Sequence, residues 1–339
     1  MKIIHCNVWG DIQLSELAMQ IVDCPYFQRL HHIKQNGFSY RVFPTAKTSR
    51  FEHSLGVYFI TKYTLLHLDP HDLLLDPHKK ELIAIAGLVH DIGHGPFSHW
   101  TDNILFDNVS NDVPWKHHEQ RSCDVFEHIV NQYQIPISNT ELYQIQQWIR
   151  GQSTDGNWYD QLIHSSTGLD MDKLDYLLRD IKSYGLAYQY DPYRIIRNLQ
   201  IIQNELCVCE RVKDEILIMF LVRRKLRQQI YSHPKIVQIE TYIKQQLSHF
   251  SFQESLDIMY TKNIHKFLQW DDHFIERQIS HSILYTRPPR GLFENPIIPP
   301  PDHEWEKIKQ LKFYNRKNVN QSFLIKDWNL VSCFDPSFF

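Results

Sequence analysis

The chain has no pair of cysteines at the two-residue spacing of a zinc ribbon or a redox site. Its six cysteines are scattered, at Cys6, Cys24, Cys123, Cys207, Cys209 and Cys333. A disulfide framework is therefore not expected in a chain of 339 residues. No apolar run approaches the ~18 to 20 residues of a membrane span, and Met1-Lys2-Ile3-Ile4-His5 lacks the apolar stretch of a secretory leader. Neither sign of charge dominates. Thirty-six basic and 39 acidic residues leave a formal −3, so the totals show no surface for a polyanion. Internal repeats and extended charge blocks are missing too. These absences point to an intracellular protein, cytoplasmic or nuclear, with no membrane contact and with nucleic acid disfavoured as its main partner.

What is present is a core and histidines. Apolar residues make up 42% of the chain, ample for one large helical domain with an appendage, or for two domains. Glu81-Leu82-Ile83-Ala84-Ile85-Ala86-Gly87 reads as a buried helix, and it runs into His90-Asp91. Burying ionisable groups without partners costs several kcal/mol or more. Two imidazoles and a carboxylate at such a place make sense if they share a cation. On a continuing helix His90 and His94 stack one turn apart, and Gly93, Gly95 and Pro96 then break it. Five of the 20 histidines fall between residues 90 and 118.

Around this stretch the pattern is mostly helical. Residues 2–14 alternate as a hairpin turning at Gly10-Asp11, and a helix is expected from Tyr26 to Gln35, closed by Gly37. Ser49 and Glu52 have capping-box spacing, which places Arg50 and His53 in a first helical turn; Ser138 and Glu141 repeat the signal. His99 and Asp102 share a face if Ser98–Phe106 is helical. Asp172, Tyr176 and Asp180 recur at i, i+4, i+8 beside Lys173, as either a solvated face or a site. Asn198–Glu210 reads as a hairpin around Asn204-Glu205. In the helix from Asp214 to Ser232, Arg223, Arg227 and Tyr231 share one side and either face solvent or meet phosphate. Residues 286–302 read as a proline-rich linker, and 303–339 as a small C-terminal appendage with strand character.

Four segments carry a family resemblance: Arg50-Phe51-Glu52-His53-Ser54-Leu55-Gly56-Val57, His90-Asp91-Ile92-Gly93-His94-Gly95-Pro96-Phe97-Ser98-His99, His118-Glu119-Gln120 and Asp170-Met171-Asp172-Lys173-Leu174-Asp175-Tyr176. In this order they closely resemble the HD-domain deoxynucleoside triphosphate triphosphohydrolases, and among these the catalytic domain of the animal SAM-and-HD-domain members, with no SAM domain ahead of it. The resemblance runs from about residue 7 to about 240. It implies a mainly α fold, an HD-domain helical bundle with short β-hairpins, over residues 1–285. It also implies one divalent metal held by His53, His90, Asp91 and Asp172, a mixed nitrogen and oxygen set that suits Fe, Mn, Zn or Mg, with a second Mg arriving on the substrate triphosphate. The implied reaction cleaves a dNTP at the α-phosphorus into deoxynucleoside and triphosphate, using His94, His99, Asp102 and His118. A histidine can protonate the leaving oxygen near neutral pH; His99 is the expected general acid with Asp102 as its orienting partner.

By the same resemblance Gln35 and Asp180 meet the sugar 3′-hydroxyl and Tyr176 excludes a 2′-hydroxyl. Arg50, Lys173 and Arg223 meet phosphates, and Tyr231 lies beside sugar and base. Asp23 matches a position of an activating guanine-nucleotide site, in which His31 and His5 replace two other residues, and Arg194, Arg211 and Lys213 match the region of a second regulatory nucleotide; Arg227 replaces a histidine near the substrate. A homo-oligomer, dimer or tetramer, is implied. Two alternatives stay open: an HD phosphohydrolase acting on a dNMP or a signalling nucleotide, and a binding protein for nucleotides or single-stranded nucleic acid.

Overall fold

The computed structural model describes residues 2–107, 109–152, 156–247, 252–279 and 307–325. The proline-rich stretch 286–302 lies outside the described residues, as do the two ends of the 303–339 appendage.

The chain opens with a hairpin, β1 (Lys2–Cys6) and β2 (Gly10–Leu14), paired in antiparallel register from Lys2–Leu14 to Cys6–Gly10. Its turn is Asn7-Val8-Trp9, one step before the expected Gly10-Asp11, because Gly10 already pairs with Cys6 at φ +78°. Helices α1 (Glu16–Val22) and α2 (Pro25–Gln28) follow. The helix expected to Gln35 ends early: α2 gives way to a tighter turn over Arg29–His32, and Ile33 is extended. There Ile33 C=O receives Arg50 N–H and Gln35 N–H reaches Thr48 C=O.

Two long helices form the centre, α3 (Arg50–Leu68) and α4 (Pro77–Val89). Ser49 and Glu52 close the capping box of α3. In α4 every residue from Leu82 to Val89 is buried, the mark of a helix walled in on all sides. Around them pack α5 (His118–Gln132), α6 (Asn139–Arg150), α7 (Met171–Tyr184), α8 (Pro192–Ile196), α9 (Lys213–Leu226), α10 (Pro234–Gln246), α11 (Phe252–Thr261), α12 (Ile264–Phe267) and α13 (Asp272–Gln278). Ser138 and Glu141 cap α6, which stops at left-handed Gly151. No helix among the described residues is long and apolar enough to cross a membrane.

Strands β3 (Leu199–Ile202) and β4 (Glu205–Cys209) form the second hairpin, turning at Gln203-Asn204, both at positive φ. β5 (Lys312–Asn315) adds parallel to β4, and β6 (Asn318–Leu324) completes a four-stranded sheet. The appendage thus packs back onto the hairpin. Cys207 and Cys209 are buried there, against Ile202 and Tyr314.

Candidate metal centre and nucleotide cavity

α3 and α4 bring His53, His90 and Asp91 together with ligand atoms within 4.8 Å of one another, and α7 adds Asp172 beside the two histidines. His53 comes from the first turns of α3, His90 and Asp91 from the carboxyl end of α4, and Asp172 from the start of α7. His53 Nε2 lies 3.0 Å from Asp172 Oδ1 and 3.3 Å from Asp91 Oδ2. His90 Nε2 lies 3.3 Å from the same Asp91 oxygen and 3.6 Å from Asp172 Oδ1. The opposite ring nitrogens are already engaged: His53 Nδ1–H donates to Asp175 Oδ2 at 2.7 Å, and His90 Nδ1–H to Gly87 C=O at 2.8 Å. Both Nε2 atoms are buried without a hydrogen bond and aim at the common point. Ring nitrogens oriented by outer donors and left with free lone pairs are what a metal-ligating histidine needs. Burial opposes charge on these rings, yet Asp172, Asp175 and Asp91 outweigh it at His53, and Asp91 and Asp172 raise His90 to about 9. The centre favours positive charge, so a divalent cation fits.

Asp175 is saturated. Besides His53 it accepts from Trp9 Nε1 at 2.5 Å and from Arg179 Nε and Nη2 at 2.9 and 2.7 Å. Burial raises its pKa, but Arg179 and His53 together bring it down to about 2. Gly56 makes this approach feasible: a Cβ there would sit 1.8 Å from Asp175 Oδ1.

Three imidazoles stand next to the centre. His94 stacks on His118 with centroids 4.0 Å apart and meets His99 edge-on at 4.9 Å. The segment that places them departs from the expected helix over Ser98–Phe106. Phe97 and Ser98 are both left-handed, at φ +56° and +57°, a strained conformation for non-glycine residues that surrounding bonds must hold. Phe97 N–H donates to Asp272 Oδ1 at 2.6 Å. Ser98 Oγ–H donates to Lys34 C=O at 2.7 Å and accepts from Arg50 Nε at 2.9 Å. Only a wide helical turn follows, Thr101–Leu105. It carries Asp102 to His118 rather than to His99: His118 Nδ1 lies 3.1 Å from Asp102 Oδ2, and Arg121 binds the other oxygen. Burial opposes charge on His118, but Asp102, with Glu119 and Asp91, raises its pKa. Burial and the charges of Arg50 and His118 push His94 and His99 down.

His90, Asp91, His99, His118 and Asp172 line a cavity of about 650 Å³, with His53, His94 and Asp102 set behind its wall. Of the seven expected substrate contacts, Gln35, Arg50, Lys173, Tyr176, Arg223 and Tyr231 line it. Asp180 sits behind the wall, accepting from Asn36 Nδ2 at 2.7 Å and Tyr231 Oη–H at 2.5 Å. Burial pushes Asp180 up to about 6, against the pull of those two bonds. Arg223 Nε donates to Tyr176 Oη at 3.0 Å, and Lys173 Nζ to Asp170 Oδ2 at 2.8 Å.

Residues 50–182, which hold the whole His53–His90–Asp91–Asp172 centre, match the family model described as the HD domain. The chain carries an HD domain. It is 34% identical over 260 residues to a protein of Acanthamoeba polyphaga mimivirus named for its HD domain, covering 72% of this chain and 56% of that one. It is 34% identical over 264 residues to the deoxynucleoside triphosphate triphosphohydrolase SAMHD1 of Homo sapiens, covering 69% and 42%. Its likeness to the protein of the same name from Danio rerio is 30% over 342 residues, covering 88% and 54%. The chain spans about half the length of these curated relatives.

Within the HD domain, nothing in the sequence pattern singles out Asp175 or Arg121. An Asp175–Arg179 pair four apart resembles an ordinary surface ion pair; only the neighbouring Leu174 hints at burial. Arg121 is fully buried and donates to Gly93, Trp115 and Lys116 carbonyls as well as to Asp102. Gly93 lies against this segment so closely that a Cβ would meet Ser122 N at 2.2 Å and Arg121 C at 2.5 Å. Both are backbone atoms, so Gly93→Ala is expected to cost about 3 kcal/mol or more, read as a lowered midpoint in urea unfolding. Of the positions expected to meet two regulatory nucleotides, Arg194 and Arg211 line a second cavity with Tyr63, His67, Arg197 and Asn198, whereas Lys213 is not among its lining residues and Asp23 pairs with Lys2 on the surface.

Proposed function

We propose that this HD-domain protein hydrolyses deoxynucleoside triphosphates at the α-phosphorus, giving deoxynucleoside and tripolyphosphate. The observation that carries the reading is the junction, in one cavity, of a two-histidine, two-aspartate centre with Arg50, Lys173 and Arg223. Three separate cations suit a triphosphate better than a monophosphate. The activity for which the human and zebrafish relatives are named agrees with it.

In this reading His53, His90, Asp91 and Asp172 hold one divalent ion, of iron, manganese, zinc or magnesium. When bound, it supplies Lewis acidity to the phosphoryl group and the attacking water. Arg50 neutralises Asp91 and reaches the phosphates from the same side. His118, whose protonated form Asp102 favours, stabilises negative charge growing on the phosphoryl oxygens, and His94 packs it in place. His99 carries no carboxylate partner of its own and is exposed to the cavity. The negative charge of a bound triphosphate opposes the cations that hold its pKa down, which brings it toward the range suited to protonating the 5′-oxygen. Tyr176, fixed by Arg223, closes the sugar edge, and Gln35 with the Asn36–Asp180–Tyr231 group faces the 3′ end. A second Mg carried by the triphosphate, a regulatory nucleotide and a homo-oligomer belong to the same proposal. So does an intracellular setting, which the five buried, unpaired cysteines among the described residues support.

Incubation with each dNTP and Mn²⁺ or Mg²⁺, followed by phosphorus NMR, tests it. Tripolyphosphate and deoxynucleoside are the expected products; pyrophosphate or monophosphate as the only product would reject the reading.

A further inference from the structure

The cavity has one group that its cationic lining does not explain. Glu240 lines it from α10, one turn beyond Ile236, which lines it too. Its backbone carbonyl accepts from Trp100 Nε1 at 3.2 Å, but among the described residues its carboxylate has no hydrogen-bond or ion-pair partner. Oε1 comes within 3.4 Å of where a Cβ on Gly37 would stand, so the acid is set beside Gly37, next to Asn36 in sequence. Burial alone pushes it up to about 7, with no neighbouring cation pulling it down. Arg50, Lys173 and Arg223 are each engaged elsewhere, with Asp91, Asp170 and Tyr176. The lining thus holds the cations Arg50, Lys173, Arg223 and Arg227 and, on α10 beside Gly37, a carboxylate with no charged partner of its own among the described residues.

A triphosphate held by the cations cannot lie against a carboxylate without repulsion. The uncharged end of the nucleotide must face it, and a half-buried carboxylate that a ligand covers loses its water, so it selects ligands that supply donors. Of the four bases, guanine alone presents two adjacent N–H donors, N1–H and the N2 amino group, to both oxygens of a carboxylate. Adenine and cytosine offer one amino group beside a ring acceptor, and thymine one N–H between two carbonyls.

We infer that Glu240 reads the base and gives the cavity a preference for guanine deoxynucleotides. The inference rests on the nucleotide reading of the cavity. The test compares kcat/KM for dGTP and dATP in the wild-type protein and Glu240→Gln at pH 8, with binding of the same two nucleotides measured in EDTA. A dGTP/dATP ratio of about tenfold or more is expected in the wild type, falling to near unity in Glu240→Gln in both turnover and binding. A wild-type ratio near unity, or a ratio that Glu240→Gln leaves unchanged while both substrates weaken together, would overturn it, the latter marking a structural role. If no dNTP yields tripolyphosphate, the hydrolase reading fails by itself, and the binding ratio in EDTA still decides the role of Glu240.

Discussion

Asp91→Asn is expected to reduce dNTP hydrolysis about 10³-fold or more and to abolish retention of a divalent ion. Asp91 Oδ2 faces both free Nε2 atoms, and Arg50 binds the same oxygen, while Oδ1 lies 3.2 Å from His94 Nε2. Burial disfavours its charge, but Arg50, His90 and His94 hold its pKa far below the usual carboxylate range, so it is anionic at any working pH. An amide of the same shape removes that charge and turns either a weaker oxygen or an N–H toward the centre. Metal content by mass spectrometry and turnover are read on protein whose circular dichroism matches wild type. Retained metal with turnover within tenfold of wild type would count against Asp91 as a ligand. Asp175→Asn leaves the ligands intact and loosens only the hold on His53, so a milder loss, about 10- to 100-fold in metal affinity, is expected.

Arg121→Leu is expected to destabilise the fold by about 3 to 5 kcal/mol, the largest stability loss anticipated for a single residue near the site. Removing the guanidinium strands three carbonyls and leaves Asp102 buried with only His118 to balance it. The sign with pH follows from Asp102. Burial raises its pKa, but Arg121 and His118 depress it well below the unfolded value. Its contribution is then present above pH ~4 and lost as pH falls through the acid range. Urea unfolding at pH 7 and pH 3 should show the wild-type advantage over Arg121→Leu shrinking at the lower pH; an equal gap at both would show that Asp102 is not the partner that matters.

Local signals were the legible part. The capping boxes at Ser49 and Ser138 form within four residues of chain, and the buried helix before His90 declares itself by having no polar face. The four motif segments fold so that His53, His90, Asp91 and Asp172 meet, although they span 120 positions from first to last. What could not be read depends on distant partners. The left-handed turn at Phe97-Ser98 is held by Asp272, 175 residues further on, and that turn sends Asp102 to His118 instead of His99. Asp175 passes for a surface acid until Trp9 of the hairpin turn closes over it. Glu240 lies beyond every motif, and only the packing of α10 beside Gly37 brings it to the cavity.

A second cluster, His94, His99, Asp102 and His118, has ligand atoms within 4.8 Å of one another, as His53, His90 and Asp91 do. Arg121 already binds its carboxylate, and His118 already lies against the other oxygen, so it competes poorly for a cation. Anomalous diffraction at the manganese edge from crystals grown with Mn²⁺ separates the two. A single strong peak about 2.0 to 2.2 Å from Nε2 of His53 and His90 and from oxygens of Asp91 and Asp172 is the expected result; a peak among His94, His99 and His118 instead would contradict the assignment of the centre.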